Sequence, residues 1–204
     1  MIRVVLFDFG GVLAEEGYRE GLEAVARRNA LDPGAFFALA ARLIYETGHI
    51  VGRCDEKTYV DALTAASGIR ETRGELRQLL LDGFTLRPAM IALADRLRAR
   101  GLVTGILSDQ TGWLDEIDAR DGRFRHFDHV FNSYHIGMAK DDPRTFAEVC
   151  RRIGAPPAET AFVDDNPGNV ERAAAEGLRA IRYTTFAGCV RDLRAAGLPV
   201  DDGG

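Results

Sequence analysis

Several short apolar runs in this chain end in polar residues that could do chemistry together. Residues 2–7 end at Asp8 and a Gly-Gly turn, residues 102–107 at Ser108-Asp109, and residues 160–163 at Asp164-Asp165-Asn166. Lys140 follows the stretch around Val130–Phe131 and a Tyr-His-Ile-Gly turn. Carboxylates brought together raise one another's pKa unless a cation joins them. Lys140 offers one positive charge, and a hard, oxygen-loving ion such as Mg²⁺ would offer the rest. A carboxylate held between the two can attack phosphorus in line and form an aspartyl-phosphate that water then hydrolyses. Ser108 and backbone N–H groups at a following helix start could hold the phosphoryl oxygens.

The elements that would position these residues follow from the patterning. Residues 2–7 are β-branched and apolar, as in a strand buried on both faces of a parallel sheet, and 102–107, 160–163 and 178–183 look the same. Helical patterns alternate with them: Pro88 to Arg100, Asp142-Pro143 to a stop at Gly154, Pro167 to Glu176, and Phe186 to Ala196. The alternation predicts an α/β, Rossmann-like fold with a parallel sheet covered by helices on both faces. Ligands of such sheets bind outside the carboxyl ends of the strands, where the polar residues above fall. Residues 15–86 break the rhythm, with helices expected over 18–29, 33–46, 55–67 and 74–82, the last opened by a Thr72-x-x-Glu75 capping box. The expected division is an α/β core of 1–14 and 87–204 and a small helical bundle of 15–86. The closing Val-Asp-Asp-Gly-Gly reads as a frayed tail.

Composition narrows the partners. The 204 residues are 46% apolar and 28% charged, an ordinary globular balance. A net charge of -5 without a block of like charge gives no nucleic-acid footprint and no basic membrane anchor. The apolar run at the N-terminus is too short for a signal peptide or a membrane span, so the cytoplasm is the expected compartment. Three scattered cysteines suggest neither a disulfide scaffold nor a zinc site. The histidines share no metal spacing, and His49, near Arg53, reads as a surface residue. Phe36, Phe37 and Tyr45 read as helix packing, while Trp113 fits either packing or the site entrance. Oligomeric state is left open.

Residues 6–13, Leu-Phe-Asp-Phe-Gly-Gly-Val-Leu, resemble the first motif of the haloacid-dehalogenase-like superfamily. Ser108 in Gly-Ile-Leu-Ser, Lys140 in Gly-Met-Ala-Lys and the run Phe-Val-Asp-Asp-Asn-Pro-Gly-Asn at 162–169 resemble its second, third and fourth motifs. The resemblance implies that Asp8 is nucleophile and metal ligand, with Ser108 and Lys140 completing the catalytic set. It implies Mg²⁺ held by Asp8, the Gly10 carbonyl and Asp165, with Asp164 in support. Gly11, Ser108, Asp109 and Asn169 would meet phosphate or substrate, residues 15–86 would form the cap, and the substrate would be a small phosphorylated metabolite. Most phosphatases of the superfamily carry an acid/base Asp at the position of Gly10. A capped subgroup with an Asp-x-Gly first motif, which includes sugar-phosphate phosphatases, shares the gap. Glu15, Glu16 and Asp109 are the nearest carboxyls by sequence. Asp109 stands where relatives often have Asn and is expected to cap the next helix. The alternatives are a 2-haloacid dehalogenase, which an unneutralised Asp164-Asp165 pair opposes, and a non-catalytic metal- or phosphate-binding protein on the same scaffold, which only Gly10 favours.

Overall fold

The N-terminal apolar run forms β1, Val4–Phe7, with every residue buried. A run of helices follows it: α1 Gly17–Arg28, α2 Pro33–Glu46, α3 Glu56–Ser67 and α4 Arg73–Asp82. The chain then alternates through α5 Pro88–Ala99, β2 Val103–Ser108, α6 Trp113–Asp121 and β3 His129–Asn132. A short α7, Ser133–Ile136, and α8, Arg144–Ile153, lead to β4 Thr160–Asp164, α9 Pro167–Ala175, β5 Arg179–Arg182 and α10 Phe186–Ala195. The computed structural model describes residues 1–122 and 124–200, and the expected tail falls mainly on 201–204, outside them.

The five strands are parallel, in the order β3-β2-β1-β4-β5. From the central β1 the chain builds outward through β2 and β3, then returns to add β4 and β5 on the other side. Strand order therefore reverses between β1 and β4, and the loops leaving those two strands part to open a cleft. Alternation along β1 feeds two cores: Val5 and Phe7 join one apolar cluster, Val4 and Leu6 the other. The first cluster is continuous from the sheet into α1–α4, through Leu22, Val25, Phe36, Leu63 and Leu76.

The helical segment sits over the carboxyl ends of the strands and is tied there by specific contacts. Ser133 Oγ donates to the Ile50 carbonyl at 2.7 Å, and Trp113 Nε1 donates to Glu56 Oε1 at 3.2 Å. Gly52 lies at φ 68°, and a Cβ there would fall 2.5 Å from the Tyr134 carbonyl oxygen, so only glycine allows this docking. Two sequence expectations change here. His49 is buried rather than on the surface: it stacks on Tyr59 with centroids 5.6 Å apart, and its Nδ1 meets the Cys54 carbonyl at 3.1 Å. Trp113, edge-on to His49, is packing between segment and sheet. The Thr72–Glu75 capping box forms as expected. Among the described residues no helix is long and apolar enough to cross a membrane.

Candidate active site

The cleft is set by strand ends. Asp8 follows β1, and its backbone N–H still donates to Val163 of β4 at 2.9 Å, so its carboxylate is fixed at the mouth between the two strands. Asp164 is the last residue of β4 and is fully buried, with Asp165 just beyond it. Lys140 arrives from the loop between α7 and α8, with 1% of its side chain exposed. Its ammonium lies 3.0 Å from Asp8 Oδ1 and 2.7 Å from Asp164 Oδ2. Asp164 is further held by the Asn166 N–H at 2.8 Å and by Asn169 Nδ2 at 3.0 Å. Arg172, one helical turn beyond Asn169, donates to the Asn169 side chain at 2.6 Å and to the Lys140 carbonyl at 2.7 Å.

Asp8, Asp164 and Asp165 each present a carboxylate oxygen, all within 4.8 Å of one another. Burial pushes the Asp8 carboxyl well above the usual carboxylate range, against the pull of Lys140 and with Asp164 adding to the rise. Burial, helped by Asp164, raises Asp165 as well. For Lys140, burial alone would lower the ammonium, but Asp8, Asp164 and Asp109 outweigh it and hold the group above its ordinary value. These directions agree that the cluster is short of positive charge. Three hard oxygen donors with excess negative charge suit a divalent cation of the Mg²⁺ type. Gly11 makes room for the arrangement: it sits at φ 76°, and a Cβ there would fall 2.6 Å from the Asp165 carboxyl group.

Asp109 corrects an expectation. It does not cap α6, whose N-cap is Gly112 and which starts without a side-chain cap. Its carboxylate instead accepts from the Lys140 backbone N–H at 2.9 and 3.1 Å and from Tyr45 Oη at 3.2 Å. It thus anchors the lysine loop and ties α2 to the sheet. Ser108 ends β2 and lines the cavity, but it too is remote from the start of α6. Two N–H groups beyond it are engaged within the loop: Gln110 donates to Ser133 Oγ at 3.1 Å and Thr111 to Gln110 Oε1 at 3.0 Å.

A cavity of about 570 Å³ opens above this floor, lined below by Asp8, Gly10, Ser108, Lys140, Asp165 and Asn169. Its upper wall comes from the helical segment: Glu16, Tyr18 and Arg19 at the start of α1, and Phe37, Ile44 and Tyr45 on α2. Part of the stripe expected to pack α2 therefore faces the cavity, while Phe36 is buried. Arg53 is not among the lining residues. Of the three nearest carboxyls, Glu15 is paired with Arg87 at 2.7 Å and Asp109 is committed as above. Glu16 faces the cavity, its carboxyl raised by burial and by the nearby Asp165. Tyr18, Arg19 and Arg172 were not singled out from the sequence; only the spacing of Arg172 three residues after Asn169 could have pointed to its place.

Fold and site together define an α/β protein with an acidic, lysine-bridged centre at the switch point of a parallel sheet. A family model described as haloacid dehalogenase-like hydrolase matches residues 2–177, and the chain belongs to that family of hydrolases. Bifunctional epoxide hydrolase 2 of Rattus norvegicus is 31% identical over 214 residues, which cover 94% of this chain and 38% of that protein. The chain thus spans well under half of that relative's length. Phosphoserine phosphatase of Thermus thermophilus is 30% identical over 201 residues, covering 88% of this chain and 80% of the phosphatase. A HAD family enzyme of Bacteroides thetaiotaomicron, solved in complex with magnesium and inorganic phosphate, superposes with a TM-score of 0.71 at 20% identity, over 90% of this chain and 95% of that one. L-2-haloacid dehalogenase of Xanthobacter autotrophicus, solved with chloropropionic acid covalently bound, gives a TM-score of 0.67 at 21% identity, over 97% and 84%. At these identities the two structures share the fold.

Proposed function

We propose that this hydrolase is a Mg²⁺-dependent phosphomonoesterase that acts on a small phosphorylated metabolite through a phosphoryl group carried on Asp8. The observation behind this reading is the Lys140 ammonium joining Asp8 and Asp164, with Asp165 close enough to share a cation. Asp8, the Gly10 carbonyl and Asp165 would hold Mg²⁺, with Asp164 in support, and the ion would neutralise charge on the phosphoryl oxygens. The Asp8 carboxylate is the in-line nucleophile. Its attack on phosphorus breaks the ester P–O bond, and water later breaks the new bond to Asp8. Lys140 keeps Asp8 oriented and offsets the charge that gathers on the equatorial oxygens, and Ser108, which lines the same cavity, would offer them its hydroxyl. Asn169 and Arg172 act one step away, through Asp164 and the Lys140 carbonyl. We take 1–14 and 87–204 as the catalytic core and 15–86 as a cap whose α1 and α2 shield the site from water.

The phosphatase and the magnesium–phosphate complex among the similar proteins support this reading. A carbon–halogen hydrolase has the same fold but no need of a cation, and it would leave the acidic cluster unbalanced. The test is release of inorganic phosphate from a panel of phosphorylated metabolites with and without Mg²⁺, alongside Asp8→Asn. Release that needs both the ion and Asp8 is the expected result. Chloride freed from 2-haloacids without phosphate release would overturn the reaction class, and metal binding without turnover would leave a binding protein.

A further inference from the structure

Cleaving a phosphomonoester needs a proton for the departing oxygen, and hydrolysing an acyl phosphate needs one taken from water. The nucleophile cannot supply the first, and the carboxylates around it are committed. Asp164 accepts from Lys140, Asn166 and Asn169. Asp109 accepts from Lys140 N–H and Tyr45, and Glu15 is clamped by Arg87. Asp165 belongs to the oxygen cluster. Glu16 differs from all of these. It lines the cavity with Asp8, and among the described residues no hydrogen bond or ion pair engages its carboxylate. It immediately precedes α1, where a side chain often caps the helix, yet it makes no capping bond.

Gly10 supplies an independent observation. Its φ is not in the left-handed region, so the backbone does not require glycine there. What a side chain would meet is Glu16: a Cβ on Gly10 would lie 3.1 Å from Glu16 Oε1 and 3.5 Å from a Phe84 ring carbon. The Glu16 carboxylate thus fills the space that a side chain two residues after the nucleophile would occupy.

We infer that Glu16 is the proton donor and acceptor of the reaction, a role that rests on the phosphatase reading above. As Asp8 attacks and the P–OR bond breaks, the protonated Glu16 carboxyl passes its proton to the departing oxygen, leaving an alcohol, a phosphorylated Asp8 and a Glu16 carboxylate. In the second step water attacks phosphorus, the bond to Asp8 breaks, and Glu16 takes the water proton. Inorganic phosphate leaves with Asp8 ionised and Glu16 protonated again.

The test compares kcat/KM on an alkyl phosphate and on p-nitrophenyl phosphate, whose leaving group departs without a proton. Glu16→Gln should lose about 10²-fold on the alkyl ester, much less on the nitrophenyl ester, and melt with the wild type. Gly10→Asp placed in a Glu16→Ala background should restore about tenfold or more on the alkyl ester. An equal loss on both esters, no loss on either, or no restoration by Gly10→Asp would overturn the assignment. Wild-type protein that hydrolyses neither ester would defeat the phosphatase reading and this inference together, whereas active wild type with an indifferent Glu16→Gln defeats the inference alone.

Discussion

Lys140 is the residue on which the charge balance turns, because its ammonium touches two buried carboxylates and its backbone N–H is held by a third. Lys140→Met would leave Asp8 and Asp164 facing each other without a cation. Breaking a buried pair in this way costs about 3–5 kcal/mol. Urea unfolding without metal should give an unfolding free energy lower by that margin, seen as a lower midpoint, and no catalytic activity should remain; an unchanged midpoint would mean the pair is not buried as described. Asp8, Ser108, Lys140 and the Asp164-Asp165 pair were legible in the sequence because apolar strand runs stop on or shortly before them. Asp109 was not, since the amide it holds is 31 residues away. Glu15 and Glu16 are adjacent and chemically alike. Only the turn into α1 sends one to Arg87 and the other into the cavity.

At the scale of elements, signals local to one helix were read well and those that depend on a neighbour were not. The box at the start of α4 is local: Glu75 N–H donates to Thr72 Oγ1 at 3.3 Å, and the Glu75 carboxylate accepts from Thr72 N–H at 2.8 Å. Thr72→Ala removes the hydroxyl that accepts from Glu75 N–H and donates to the Glu75 carboxylate, so thermal unfolding should report a loss of about 0.5–2 kcal/mol with kcat unchanged. A fall in kcat as large as that of a site variant would instead show α4 coupled to the chemistry. On α2, Phe36, Ala40 and Ile44 form the buried face, and Phe37, Ala41 and Tyr45, one residue further round, turn toward the cavity, which the edge of Ile44 also reaches. Both sets have helical spacing, so no periodicity could say which would meet the core and which the cleft. β1, β2, β4 and β5 came through as apolar runs, β2 running one residue further than expected to take in Ser108, whereas β3, an edge strand with His129 and Val130 partly exposed, showed only as the short stretch around Val130–Phe131.

Across the whole molecule, one apolar cluster runs from the sheet into the helical segment, so opening either part exposes the other. The cysteines report on this. Cys189 and Cys150 are buried and Cys54 is half-buried, and burial pushes the Cys189 thiol up to about 12. A raised thiol pKa leaves almost no thiolate at neutral pH, so native protein should react with a disulfide reagent at Cys54 alone. The two buried thiols should react only at the rate of global unfolding; fast labelling of Cys189 in native protein would show that the cluster opens locally. The sheet order sets the switch point between β1 and β4, and the acidic centre lies at that point; the phosphoryl group proposed for Asp8 can be sought directly. The most direct test is rapid acid quench of enzyme turning over a hydrolysed ester with Mg²⁺, followed by mass spectrometry of the peptides. The expected result is one added phosphoryl group on the peptide containing Asp8, absent from Asp8→Asn. Steady phosphate release with that peptide never modified, at any quench time, would contradict it.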